Sequence, residues 1–352
     1  MIDRGETARI LALNFARFSG LAPLARPFAS GIGAILMLHR VTAHPRKPNG
    51  VNRHLNIAPD FLDAVIADMK RSGYIFVSID EAIDRIVARA QTEKFATITA
   101  DDAYRDNLIE ALPVLEKHET PITIYVAPSL INGTSDLWWE LIEDIVAARD
   151  YIYVPTAEGR VRLDCSTPSR KNESNAFLCE YLTQKVHEEE QRDVVRALAA
   201  SAGVDFEQPR RETLMSWEEV RTVAGHPLVT IGAHTVNHYN LKRLSEERAY
   251  SEMADSAEIL NFELGETPLH LAYPYGYAAA VCKREVALAK AAGFVSAVTT
   301  RHGVLRAEHA KHLHALPRIS VNGRYQNVGH IRTMLSGVTT PLANSGKMLV
   351  TV

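Results

Sequence analysis

A chain of 352 residues with 46% hydrophobic and 23% charged side chains has apolar material for one barrel-sized core or two smaller ones, which excludes a disordered or fibrous polymer. The formal charge of −3 leaves no basic footprint for nucleic acid. Cys165, Cys179 and Cys282 are odd in number and too widely spaced for a zinc knuckle, so they read as buried thiols of a reducing compartment.

No apolar run reaches the ~18 residues of a membrane span. Asp3, Glu6, Arg9 and Arg17 interrupt any signal-peptide core, so a cytoplasmic protein is expected. Residues 1–30 read as a helical extension, with Leu11, Leu13, Phe15, Phe18, Leu21, Leu24 and Phe28 beside Arg9, Arg17 and Arg26. This segment suits docking on the main domain, the favoured reading, or peripheral contact with a membrane surface.

Gly31 to Val41 is a buried strand that finishes at His39, a position where histidine is most often structural. Residues 42–57, with Pro45, Pro48, Asn49 and Gly50, form a loop. Pro59 and Asp60 open a helix carrying Phe61, Leu62, Val65, Ile66 and Met69; Tyr74 to Ile79 is a strand, and Asp80 caps the helix through Val87. Phe95 to Ala100 is a β-branched, buried strand that stops at two adjacent carboxylates, Asp101 and Asp102, before the helical spacing of Leu108, Ala111, Leu112 and Leu115. Like charges side by side repel. A cation beside them resolves this, with one carboxylate as ligand and the other as base. A helix N-cap is the plainer alternative.

Ile122 to Val126 is the next strand, and Trp138 and Trp139 open a helix that runs to about Arg149. Adjacent tryptophans cannot share one helix face, so one is exposed for stacking on a sugar ring, or each packs against different core neighbours. Residues 151–211 break the pattern with a hairpin and a long charged helix from Asn175 to Ala202; they read as an insertion, with the run Glu188 to Glu190 on a solvated face. Ser216 and Glu219 form a capping box. After the strand Leu228 to Gly232, His234 and His238 stand four apart, on one face of a helical turn, where two imidazoles suit one ion.

A helix from Asn240 to Phe262, a strand from Thr267 to Tyr273, a turn at Tyr273 to Gly276, a helix from Arg284 to Ala292 and a strand from Phe294 to Thr299 follow. His309, His312 and His314 lack a preceding strand and are discounted as a metal site. A strand from Leu316 to Val321, a helix from Val328 to Leu335 and a loose polar tail from Ser336 end the chain. Strand and helix alternate, which argues for a parallel sheet, and the number of units fits a barrel better than an open sheet.

The Asp pair within Thr99 to Asp106, the segment His234 to His238 and the turn Tyr273 to Gly276 together resemble the NodB-type polysaccharide deacetylases, carbohydrate esterase family 4, over about residues 33–325. The resemblance implies an α/β fold, a distorted (β/α) barrel over residues 31–325, followed by a C-terminal helix and tail at 326–352. It implies a metal-dependent hydrolase that removes N-acetyl groups from amino sugars in a glycan or its lipid-linked precursor. Asp102, His234 and His238 are then ligands to a divalent metal, zinc first, with cobalt, nickel or manganese as alternatives. Asp101 is the implied base, and the Tyr275 amide the implied oxyanion donor. Tyr104, Tyr273, Pro274, Trp138 and Trp139 are the expected substrate contacts.

The family's acid is a His on a C-terminal strand, and no such strand follows Gly293. Ile35 to His39 has that character at the N-terminus, as in circularly permuted members, which makes His39 the expected general acid. Three positions depart from the pattern: Ala103 replaces Gly, Ala100 replaces Phe, and Ala272 replaces the Arg that orients the base. Arg318 is expected to take over that last role. A catalytically impaired glycan-binding pseudoenzyme and a membrane-surface partner in envelope polysaccharide synthesis are the competing classes.

Overall fold

The computed structural model describes residues 4–47, 50–88 and 93–352; Pro48 and Asn49 of the expected loop lie outside them. Eight parallel strands form the main sheet: β1 (Gly33–Leu38), β2 (Tyr74–Phe76), β3 (Lys94–Ala100), β4 (Ile122–Val126), β5 (Val229–Ala233), β6 (His270–Ala272), β7 (Ser296–His302) and β8 (Leu316–Ser320). Their order is β1-β8-β7-β6-β5-β4-β3-β2, and an additional β1–β3 pairing from Gly33↔Phe95 to Leu38↔Ala100 closes the ring. Seven strands therefore make the barrel, and β2 flanks the start of β3 outside it. This is the expected (β/α) barrel.

Closure explains the composition of the strands. Every residue of β1 is buried, as is β3 from Phe95 on. A parallel strand covered on both faces needs a continuous apolar run rather than alternation. Where β3 is polar, it is satisfied: the Thr99 hydroxyl donates to the Leu36 carbonyl at 2.8 Å. The surrounding helices begin where expected, with Pro59 at the first turn of Pro59–Arg71 and a complete Ser216/Glu219 capping box on Trp217–Ala224.

The insertion builds a second small core. Leu141, Ile142, Ile145 and Val146 of helix Trp138–Ala148 pack against Ile152, Val154, Leu178, Leu182, Val195 and Leu198. The long helix expected from Asn175 to Ala202 is instead two, Pro168–Glu180 and Gln191–Ala202, with a π turn at Tyr181–Lys185 and a break at 187–190. In that break Glu189 and Glu190 face solvent, but Glu188 is only 1% exposed, which corrects the reading of a uniformly solvated run.

The tail is also packed rather than loose. Thr339–Ala343 is helical, Thr340 is fully buried, and the Val350 carbonyl lies 3.0 Å from His309 Nε2. His314 Nε2 lies 2.7 Å from the Phe294 carbonyl, so both histidines hold backbone. At the other end, helices Arg4–Phe18 and Leu21–Ala29 lie against the barrel, with Leu13 in the main core and Asn14 at 3.0 Å from His330.

Candidate active site

The ends of β1, β3, β5 and β8 bring the sequence motifs together. The Asp101 amide donates to the Leu38 carbonyl at 3.1 Å, tying the end of β3 to the strand that leads into His39. The chain then bends sharply, with φ of 72° at Asp102 and 54° at Ala103. Seven non-glycine residues have positive φ among the described residues, and Asp102, Ala103, Thr235, His238 and Tyr275 are five of them. Left-handed backbone disfavours an L side chain, and its concentration in three loops marks a functional site.

Ala103 tolerates its conformation for a countable reason. The left-handed geometry costs about 1–2 kcal/mol. Its methyl group is fully buried in the main core, and burial of such a group returns about 0.8 kcal/mol. That burial offsets part of the left-handed cost at the position where Gly was expected.

The two carboxylates have opposite surroundings. Arg318, fully buried, reaches past β1 and donates from Nη1 and Nη2 to both Asp101 oxygens at 2.7 Å, while its Nε donates to the Thr299 carbonyl at 3.0 Å. Burial alone would raise the Asp101 carboxyl; Arg318 outweighs it, with His234 and His39 assisting, and holds Asp101 well below the usual carboxylate range. Asp102 has no such partner. Burial, then the charge of Asp101, pushes its carboxyl well above the usual value. The N-cap alternative fails for both residues: one carboxylate is committed to Arg318, and the buried Oδ1 of the other has no hydrogen-bond partner.

Facing that oxygen are His234 Nε2 at 3.5 Å and His238 Nε2 at 3.4 Å. His234 Nδ1 lies 2.6 Å from the Ala272 carbonyl, which requires Nδ1 to carry the proton and leaves an Nε2 lone pair directed at Asp102. Burial lowers both imidazoles' pKa, so they are neutral. An acceptor oxygen facing the His234 lone pair needs a proton or a cation between them, and the three ligand atoms lie within 4.8 Å of one another. The donor set thus fits a divalent metal. By itself it also suits Fe(II).

The His segment is not the helical turn that its spacing suggests. It is a loop with left-handed Thr235 and His238, and the two imidazole centroids lie 4.9 Å apart. Two buried carboxylates brace it. Glu252 accepts from the Asn237 amide at 2.8 Å and its side chain at 2.6 Å, and Glu188 from the insertion accepts from the Asn240 amide at 2.9 Å and Arg243 at 2.6 Å. Sequence reasoning missed both. Glu252 carries a legible signal, a charge on the buried helical stripe of Ala249, Met253, Ser256 and Leu260. Glu188 carries none.

His39 is half-buried at the end of β1, and burial pushes its imidazole down to about 4 against the upward pull of Asp101. Both tryptophans are half-buried and line the site. Trp139 packs on His238 with centroids 5.0 Å apart and donates to Tyr104 Oη at 3.0 Å; Trp138 donates to Tyr275 Oη at 3.1 Å. Tyr275 closes the other side of His238 at 5.3 Å, and its carbonyl accepts from Thr300 at 2.7 Å. Tyr104, Tyr273 and Pro274, the other expected substrate contacts, are buried. The Tyr104 hydroxyl is occupied by Trp139, and the Tyr273 hydroxyl donates to the His314 carbonyl at 2.9 Å.

Fold and site together define an α/β barrel with a two-histidine, one-carboxylate centre beside a second, arginine-held carboxylate. A family model described as polysaccharide deacetylase matches residues 169–296, which include both histidines and the Tyr273–Gly276 turn. The match spans about a third of the chain, and over that stretch the chain resembles a polysaccharide deacetylase domain. No curated protein matches it by sequence. Among solved structures it is similar to a Streptococcus pyogenes deacetylase, PplD, in complex with acetate, at 19% identity and TM-score 0.56, covering 86% of this chain and 97% of that one. IcaB from Ammonifex degensii is similar at 17% identity and TM-score 0.53, with the same coverages of 86% and 97%. A de-N-acetylase from Aggregatibacter actinomycetemcomitans gives 15% identity and TM-score 0.51, over 86% of this chain and 99% of that one. At these identities the likeness is one of fold.

Three expected outcomes follow from this geometry. Arg318→Met strands the Asp101 charge and destabilises the fold by about 3–5 kcal/mol in urea melts, whereas adding Asp101→Asn restores much of the loss; equal stability of single and double variants would contradict the pairing. Because the Asp102 pKa is raised, the folded metal-free protein binds the extra proton, and this residue lowers stability as pH rises from the unfolded carboxylate value through the folded one. Asp102→Asn accordingly raises the metal-free melting temperature at pH 7, and Zn2+ raises that of the wild type only. Glu188→Ala, by loosening the loop after His238, weakens Zn2+ affinity about tenfold in competition titrations.

Proposed function

We propose that the protein is a divalent-metal-dependent N-deacetylase that hydrolyses the acetamide of N-acetylated amino sugars in a glycan or its lipid-linked precursor. The observation that carries this reading is the unpartnered Asp102 Oδ1 facing two imidazoles, one residue from a carboxylate fixed by Arg318. A divalent cation, zinc by preference, held by Asp102, His234 and His238 supplies Lewis acidity, polarising the acyl carbonyl and bringing a water's pKa toward ~7.

The chain's own groups do the rest. Asp101 accepts the proton of the attacking water. Held far below neutrality by Arg318, it is a weak base, so it is suited to a water that is already acidified and poorly suited to an ordinary one. The Tyr275 backbone amide donates to the oxyanion that forms on the substrate. Trp138 and Trp139 form the wall against which the sugar lies, with Trp139 also fixing the His238 ring.

His39 delivers a proton to the departing amine. Burial keeps it neutral in the resting site; as negative charge develops on the reacting amide its pKa rises, it takes up a proton from solvent, and that proton passes to the amine as the C–N bond breaks, while Asp101 returns the water's proton to solvent. The position of β1 between β8 and β3 supports the permuted arrangement, since it sets His39 beside the strands bearing Arg318 and Asp101.

The test is acetate release from N-acetylglucosamine oligomers and from lipid-linked glycans by the metal-loaded protein. Turnover is expected with at least one of them, with Asp101→Asn slower by about 10²–10⁴ and a chelator abolishing it. With His39 at about 4 in the free protein, kcat/KM shows no inflection near pH 6.5 attributable to this residue. Metal-loaded protein that releases no acetate from any of these would overturn the reading.

A further inference from the structure

We propose that the N-terminal helix pair is an interfacial docking surface for an anionic lipid bilayer. Helix Arg4–Phe18 has two faces with different fates. Leu13 and Ala16 are buried, whereas Leu11, Phe15 and Phe18, at i, i+4 and i+7, are 62%, 68% and 75% exposed. In helix Leu21–Ala29, Leu24 and Phe28 repeat the pattern at 74% and 85%. Five of the most exposed large apolar side chains among the described residues thus fall within 18 positions of sequence, while the others are scattered over the rest of the chain. Packing on the barrel uses one face and leaves a second apolar face without a protein partner. Single exposed apolar residues need no explanation, but two consecutive helices that between them expose three phenylalanines and two leucines at helical spacing do.

Charge selects the occupant. Residues 4–29 contain Arg4, Arg9, Arg17 and Arg26 against Glu6 alone, a net of 4 − 1 = +3 in a chain whose formal charge is −3. Arg17 and Arg26 are exposed; Arg17 lies over the Phe18 ring at 5.0 Å, and Arg26 donates to the Ser72 carbonyl at 3.2 Å. Arginines among exposed phenylalanines and leucines match the boundary between acyl chains and anionic headgroups. No helix of the described residues is long and apolar enough to cross a membrane, so the contact is one of lying on the surface.

The buried face of the first helix, opposite the exposed one, borders a cavity that Arg318 also lines. Leu13, on the same helix as the exposed stripe, lines a cavity of about 380 Å³ together with Met334 and Leu342, and the cavity's floor reaches Arg318, the residue that holds Asp101. Docking by the helix pair presents the barrel to substrate at the bilayer surface. That last step rests on the deacetylase reading; the docking itself does not.

The experiment is co-sedimentation of the full chain with vesicles of phosphatidylcholine alone and of phosphatidylcholine with 30% phosphatidylglycerol. Binding to the anionic vesicles is expected, weakened by salt, and at least tenfold weaker in a Phe15→Ser, Phe18→Ser, Phe28→Ser variant whose melting temperature matches wild type. Arg17→Gln with Arg26→Gln is expected to reduce the salt dependence. Absence of wild-type binding, or equal binding by the triple variant, overturns the proposal. So does concentration-dependent self-association in place of vesicle binding, abolished by the same substitutions, because the face would then bind a second copy. Failure of the deacetylase reading is distinguishable: acetate release would be missing in wild type while vesicle binding persisted.

Discussion

Two neighbouring carboxylates buried in one barrel cannot both be ionised unless something positive stands beside each. Arg318 answers for Asp101 with a bidentate pair fixed by further contacts to Thr299 and Thr99. Nothing in the polypeptide answers for Asp102, whose free oxygen instead meets two neutral imidazoles. The asymmetry separates the two, because the neutralised carboxylate stays ionised, whereas the unneutralised one is left with a charge that only a proton or a cation can offset.

Barrel topology makes this asymmetry possible. Closure through β1 puts the N-terminal strand between β8 and β3, so an arginine from near the end of the chain lies within reach of an aspartate from its first third. The position ahead of Pro274 is then released from supplying a guanidinium. Ala272 contributes its carbonyl instead, fixing the proton on His234 Nδ1. The insertion likewise belongs to the active structure, since Glu188 braces the loop that carries His238, and Trp138 and Trp139 stand at the start of the helix on which the insertion's core is built.

The parts legible in the sequence are those governed by local pattern. Apolar runs ending in Asp101, His234 and His39 identify strand termini, and the missing arginine at Ala272 directs attention to Arg318. What escaped depends on contacts between distant segments or on backbone geometry. The spacing of His234 and His238 suggested a helix, yet the pair is brought together by left-handed residues that no periodicity announces. Tyr104 and Tyr273 look like groove residues in a motif but are buried, because their hydroxyls find partners inside. Glu188 sits in a charged run and is buried by a helix break that a helical pattern conceals. The tail from Ser336 is polar in composition and packed in fact, since Val350 completes the environment of His309.

The most direct test of the central claim is calorimetric titration of a divalent ion into chelator-stripped protein, with Asp102→Asn and His238→Ala beside the wild type. The account predicts one site per chain in wild type, lost in both variants, with uptake of the ion releasing the proton held by the raised Asp102 carboxyl and few from the already neutral imidazoles. Wild-type protein that binds no divalent ion, or variants that bind it with unchanged affinity, would contradict it.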